Sequence, residues 1–184
     1  FRSAAIINGD HSSGVSIMVM DAGVDTGALL ARQMVPIAED ENSITLSQKL
    51  AMEAAPLLRQ TLPAYLSGER LPFPQEDEGA TYAPMIRKSD GLLDFTQPAE
   101  FLERKVRAYI DWPGAVLNYG DQRLKVRRAR VIPGEGYPGK RSVVDHYPCI
   151  MAADGNLLLL EVKPAGGNWM SGADFLHGAR DWVS

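Results

Sequence analysis

Two carboxylates four residues apart and set among glycines are the groups in this chain best suited to chemistry: Asp21-Ala22-Gly23-Val24-Asp25-Thr26-Gly27. A carboxylate can take up or hold a proton, or stabilise a neighbouring cation. Glycine lets a ligand come close to bare backbone. Loops between regular elements are where scaffolds tend to place function. The same residue types also make ordinary turns, because an aspartate side chain can bond its own turn backbone. Spacing alone leaves both readings open. The three histidines, His11, His146 and His177, fall beside a turn, at a polar strand end and on the last helix. Each reads as a surface or packing residue rather than a base. Cys149 stands alone and no spaced set of His, Cys and carboxylates is visible, so neither an internal disulfide nor a metal site is expected. No phosphate-binding glycine motif is present either.

A second candidate lies downstream. The net charge of the chain is −4, but residues 1–88 carry 7 basic and 11 acidic side chains while residues 89–184 carry 12 of each. Between Arg123 and Arg141 there are seven basic residues against Glu135 alone. Arg123, Lys125, Arg127, Arg128 and Arg130 could make a footprint for phosphates or simply the solvated face of a strand.

The elements that must position these groups are legible in outline. Val15, Ile17 and Val19 alternate with Ser16, Met18 and Met20, and Leu29–Val35 resumes strand character, so the acidic loop joins two strands. Thr45-x-x-Gln48 reads as a capping box opening a helix, with Leu46, Leu50, Ala54, Leu57, Leu58 and Leu62 on one core face. Pro56 and Pro63 are expected to kink or break that helix, and Gly68 to stop it. Pro72, Pro74, Glu76, Asp77, Glu78 and Gly79 then read as an acidic linker. A further helix has Pro98 in its first turn, Phe101, Leu102 and Val106 inward, and Arg104, Lys105 and Arg107 outward.

Short strands follow at about 116–119, 124–132, 142–144, 150–153 and 157–162, with turns at Gly120-Asp121 and Asp154-Gly155. Such spacing predicts a small barrel. Alternation fails at Arg127-Arg128, which predicts a bulge that keeps Leu124, Val126, Ala129 and Val131 on the core and the cations outside. Ser171-x-x-Asp174 starts a last helix, with Phe175, Leu176, Ala179 and Trp182 at packing spacing. Composition, 45% apolar and 23% charged, is that of a globular chain with a core, and the apolar runs are too short to cross a bilayer. No secretory signal precedes the first strand, and a reducing cytoplasm, a bacterial one, is expected.

The run MDAGVDTGALL followed by a strand resembles the active-site loop of formyltransferases that use 10-formyltetrahydrofolate. Thr81-Tyr82-Ala83-Pro84 resembles that family's connection into its second domain. Trp112-Pro113-Gly114-Ala115 resembles its Asn-Pro-Trp-Pro-Gly-Ala, with Ile110-Asp111 in place of Asn-Pro. The resemblance implies an α/β fold. Residues 1–69 would be the C-terminal part of a Rossmann-like catalytic domain, 70–90 a linker, and 91–184 an OB-like β-barrel. It also implies that Asp25 is catalytic and that Asp21, Gly23 and Val24 line the pterin end of the folate. The implied co-substrate is 10-formyltetrahydrofolate, with no metal.

Lys163-Pro164-Ala165-Gly166 with Met170-Ser171 resembles the segment Gln-Pro-Ala-Gly-Lys of the branch whose acceptor is methionyl initiator tRNA, although Gly167 replaces the lysine. The expected partner is therefore that tRNA, held by Arg123, Lys125, Arg127, Arg128 and Arg130 of a monomeric protein. The alternatives are an N-formyltransferase acting on nucleotide sugars and a non-catalytic RNA-binding fragment. The family's upstream Asn-x-His and Ser-Leu-Leu-Pro motifs have no counterpart here, and about five residues of the family pattern are unaccounted for between Arg2 and the turn Asn8-Gly9-Asp10. The chain is expected to be part of a larger enzyme and nearly inert by itself.

Overall fold

A computed structural model of the chain describes residues 2–76 and 79–183. Asp77 and Glu78, counted with the acidic linker, lie outside the described residues. Arg2–Asn8 form helix α1, which ends at Gly9 in the left-handed region (φ 76°). Strands β1 (Ser12–Met18) and β2 (Leu29–Pro36) lie where two strands are expected; they pair antiparallel, and the acidic loop spans the gap between them.

Helix α2 (Ser43–Leu66) differs from expectation in three ways. Its box is set one turn earlier. Asn42 Oδ1 accepts from the N–H groups of Ile44 and Thr45, and the Thr45 hydroxyl accepts from the Asn42 N–H. The helix also runs unbroken through Pro56 and Pro63. Each proline removes one bond, to the carbonyls of Met52 and Arg59. Both prolines and both of those residues are exposed, so water can solvate the freed carbonyls. Finally, the expected core face is covered only at its start. Leu46 is buried, Leu50, Ala54 and Leu57 are half-buried, and Leu58 and Leu62 are exposed. A two-stranded ribbon is narrower than a 24-residue helix is long.

Helix α3 (Ala99–Ala108) begins one residue after Pro98, which sits at the N-cap rather than in the first turn. The Asp154 carboxylate accepts from the Ala99 N–H and so supplies the missing cap. Leu102 and Val106 face the core as predicted, but the three cations do not simply point outward. Arg104 donates to the Ile7 carbonyl, Lys105 to that of Leu92, and Arg107 to Glu103 and the Glu41 carbonyl. Arg104 fastens the helix to α1, Arg107 to the connector before α2, and Lys105 to the segment that leads into α3 itself. Ile6, Leu46, Ala108 and Tyr109 form a small apolar cluster beneath these bonds.

The five strands expected next are all present: β3 (Ala115–Tyr119), β4 (Gln122–Ile132), β5 (Arg141–Val144), β6 (Tyr147–Met151) and β7 (Asn156–Lys163). A two-residue strand, β8 (Met170–Ser171), was not legible in the sequence and pairs with β7. The ladders are antiparallel in the order β3-β4-β7-β6-β5, with β8 on β7.

Among the described residues no ladder joins β3 to β5, so the ladders do not confirm the expected OB-like barrel. Side chains span the gap instead. Arg141 on β5 donates to the Asn118 carbonyl on β3 and lies over the rings of Tyr119 and Trp182. A planar guanidinium can hydrogen-bond at its edge while stacking on its faces, so one residue bridges the two edges. Burial first, and then the Asp181 carboxylate that accepts its hydroxyl proton, push the Tyr119 phenol up to about 12. Ser171 caps helix α4 (Gly172–Gly178) as predicted, and Phe175 and Trp182 pack edge-on against each other over the sheet core.

Candidate functional site

The acidic loop is closed at its base by the Val19 N–H donating to the Ala28 carbonyl. Gly27 is required there, since a Cβ would meet the Val19 carbonyl oxygen at 1.9 Å. Inside the loop, Asp21 Oδ1 accepts from the Gly23 N–H at 3.0 Å and from the Thr26 hydroxyl at 2.8 Å. A Cβ on Gly23 would strike that same hydroxyl at 2.1 Å. Asp21 and Gly23 thus have a local duty: they fold the loop on itself.

Asp25 is placed differently. Its backbone lies in the left-handed region (φ 58°), which L residues adopt at a cost and which recurs at functional positions. Among the described residues its carboxylate makes no hydrogen bond. Its carbonyl is held instead: Gln75 Nε2 donates to the Asp25 and Gly27 carbonyls, both at 2.8 Å. Phe73, in the same segment, exchanges two backbone bonds with Leu29. Nothing in the composition of this segment ties it to the loop.

Val24, Asp25 and Thr26 form one wall of a cavity of about 1160 Å³. Gln75, Tyr82, Met85, Tyr109 and Trp112 lie on other walls, with Ile7 and Asn8 from α1. Val24 is 88% exposed at its rim. Asp25 and Val24 therefore come together at one opening, while Asp21 and Gly23 serve the loop interior and neither is among the residues lining the cavity. His146, with φ 66°, sits in the turn between β5 and β6, and His177 in the last turn of α4. Among the described residues no cluster of His, Cys and carboxylates could hold a metal ion.

The basic run lies on β4, and the predicted bulge is there. The pairing with β7 shifts register between Val126 and Arg128 and again between Arg128 and Ala129. Leu124 and Val126 are buried, Ala129 and Val131 pack against the same core, and Arg123, Lys125, Arg127, Arg128 and Arg130 are all exposed. Arg127 lies 5.6 Å from the ring centre of Trp169 and 3.5 Å from Glu161. Arg127 and Arg128 also line a cleft of about 670 Å³ together with Glu39, Asp40 and Glu103. Burial pushes the Glu103 carboxyl up, against the pull of the Arg107 guanidinium beside it. The basic strand does not reach the cavity at Asp25, since the linings of the two depressions share no residue.

Comparison with known proteins accounts for both regions. Residues 2–62 match the family described as formyl transferase, and residues 85–180 match the formyl transferase C-terminal domain. The methionyl-tRNA formyltransferase of Myxococcus xanthus is 48% identical over 97% of this chain. The chain spans 59% of that relative's length. Among solved structures, a HypX variant from Aquifex aeolicus superposes with a TM-score of 0.69 at 20% identity, over 100% of this chain and 33% of that one. The N-formyltransferase of Helicobacter canadensis, in complex with folinic acid and dTDP-3-aminofucose, gives a TM-score of 0.68 at 16% identity over 86% of this chain and 59% of that one. At such identities the structural likeness speaks for the fold alone. The sequence matches reach further, because one takes in the strained aspartate loop and the other the bulged basic strand, and by them the chain belongs to the formyl transferase family.

Proposed function

We propose that the protein to which this chain belongs transfers a formyl group from 10-formyltetrahydrofolate to the amino group of methionyl initiator tRNA. The amine attacks the activated formyl carbon of the donor, the new carbon–nitrogen bond replaces the formyl bond to N10, and N10 takes up a proton as tetrahydrofolate leaves. The residues present suit such a donor. Val24 is exposed at the cavity rim. The Gly23 N–H is already taken up by Asp21, so Gly23 would contribute its carbonyl and Asp21 the loop shape around it. The Asp25 carboxylate, at the cavity wall and unpaired among the described residues, is free to take the proton lost by the amine through a water. Beside a histidine it would also favour the imidazolium, the form able to donate to a developing oxyanion.

The observation that carries the choice of acceptor is the ridge on β4. Five exposed cations around a bulge, with the apolar positions of the same strand kept in the core, suit a phosphate backbone better than a small sugar nucleotide. The name borne by the Myxococcus xanthus relative points the same way. The likeness to the Helicobacter canadensis enzyme keeps a nucleotide-sugar acceptor as the second reading. Cytoplasmic location and a monomeric state belong to the same proposal, and among the described residues no helix is long and apolar enough to cross a membrane. Supplying the full-length protein with 10-formyltetrahydrofolate and either methionyl initiator tRNA or amino-sugar nucleotides separates the readings. Turnover is expected with the tRNA. Turnover confined to the sugar nucleotides, or RNA binding with no turnover at all, would overturn the proposal.

A further inference from the structure

We infer that Gln75 is a positioning residue for formyl transfer, holding Asp25 in its left-handed conformation from the connecting segment 50 positions downstream. The inference rests on the reading of Asp25 as the proton-handling group. Asp25 and Gly27 present their carbonyls to one side-chain amide, at 2.8 Å each. Only the nitrogen end of that amide can donate to two carbonyls, so the network itself fixes the orientation of Gln75. Holding these two oxygens fixes the peptide plane between Asp25 and Thr26 and the one between Gly27 and Ala28. The Thr26 hydroxyl is in turn tied to Asp21 from within the loop. Asp25 has φ 58° without being glycine, so its backbone would relax toward the ordinary region unless its surroundings prevented it.

The segment carrying Gln75 is itself anchored. The Leu29 N–H donates to the Phe73 carbonyl at 2.7 Å, and the Phe73 N–H to the Leu29 carbonyl at 2.9 Å. Those bonds set Gln75 beside the loop in a fixed register. Gln75 also lines the cavity together with Val24, Asp25 and Thr26, so a shift of the segment would move the loop and the cavity wall together. A displacement of about 1 Å at a reacting group can cost on the order of a hundredfold in rate.

The test uses Gln75→Ala and Gln75→Glu in the full-length enzyme, beside Asp25→Asn. Glutamate keeps the shape of glutamine but turns a donor into a carboxylate that repels both carbonyls, so it separates hydrogen bonding from packing. Both Gln75 variants should lower kcat at least about tenfold, with KM for tRNA within about threefold. Hydrogen exchange should speed up in the Gly23–Leu29 amides and stay unchanged in β4. If the alanine variant does not fold, the glutamate variant decides. Unchanged loop exchange in the folded variants would overturn the clamp. Faster exchange with normal kcat, in an enzyme that Asp25→Asn inactivates, would overturn its catalytic role. If Asp25→Asn itself stays active, the role of Asp25 falls and with it the catalytic half of the inference, and loop exchange then reports on the clamp alone.

Discussion

Asp21 and Asp25 share one loop and one chemistry, and they are separated by where their oxygens go. Asp21 accepts twice through one oxygen and so shapes the loop, while Asp25 is held by its backbone with its carboxylate at the cavity wall. Two different outcomes follow from substitution. Asp25→Asn keeps the size and polarity of the side chain but removes its capacity to hold a proton. It should leave the unfolding midpoint of the full-length protein almost unmoved and lower turnover by about a hundredfold or more. Normal turnover in that variant would make Asp25 a turn residue only. Asp21→Asn retains a carbonyl acceptor for Gly23 and Thr26, so its effect on turnover should be smaller than that of Asp25→Asn. A larger loss at Asp21 than at Asp25, measured side by side, would reverse the assignment.

At the scale of elements, the cap of α2 gives a test of how local chemistry sets a boundary. Asn42 and Thr45 bond each other's backbone, whereas Gln48, assigned by spacing to the box, takes no part in it. Asn42→Ala should cost about 1 kcal/mol in a urea titration. Gln48→Ala should be close to neutral, and equal losses at the two positions would restore the cap first read from spacing. The elements that the sequence disclosed are those with a short-range cause. Alternation located β1, apolar runs between turns located the other strands, and the failure of alternation at Arg127-Arg128 located the bulge in β4, because a two-residue period reports directly on which face is buried. What stayed hidden depends on distant partners. Arg104 and Arg107 look like a solvated helix face until the carbonyls of Ile7 and Glu41 arrive beside them. Gln75 looks like linker composition until the loop carbonyls, 50 and 48 positions away, are in view. Whether the strands close was hidden for a similar reason: strand count and spacing do not say whether the edge strands meet in a ladder or through a single Arg141.

For the molecule as a whole, the question is how the loop half and the basic-strand half cooperate on one acceptor. We propose that the boundary between them lies near residues 70–90, and the connecting segment is not uniform across that span. Pro72–Gln75 is fastened to the loop half, while Tyr82 is 89% exposed. Limited chymotrypsin digestion should therefore cut first at Tyr82, and a first cut within β4, which pairs on both edges, would refute the division. The second test concerns the acceptor. Arg128 and Arg130 are exposed beside the bulge, and neither appears among the described ion pairs, which include Arg127 with Glu161. Reversing both charges should therefore spare the fold. A ridge that meets phosphates without reading bases makes binding fall steeply with salt, and each lost contact lowers that slope by about one unit. The double variant Arg128→Glu/Arg130→Glu should raise KM for initiator tRNA, flatten its dependence on salt, and leave folate affinity unchanged, because neither residue lines the cavity at Asp25. An acceptor of sugar-nucleotide size would not reach this ridge, so its kinetics should not respond to the reversals. Titration of initiator tRNA at two salt concentrations, with formylation followed in parallel, gives both numbers at once. An unchanged KM with an unchanged salt slope would remove β4 as the tRNA surface.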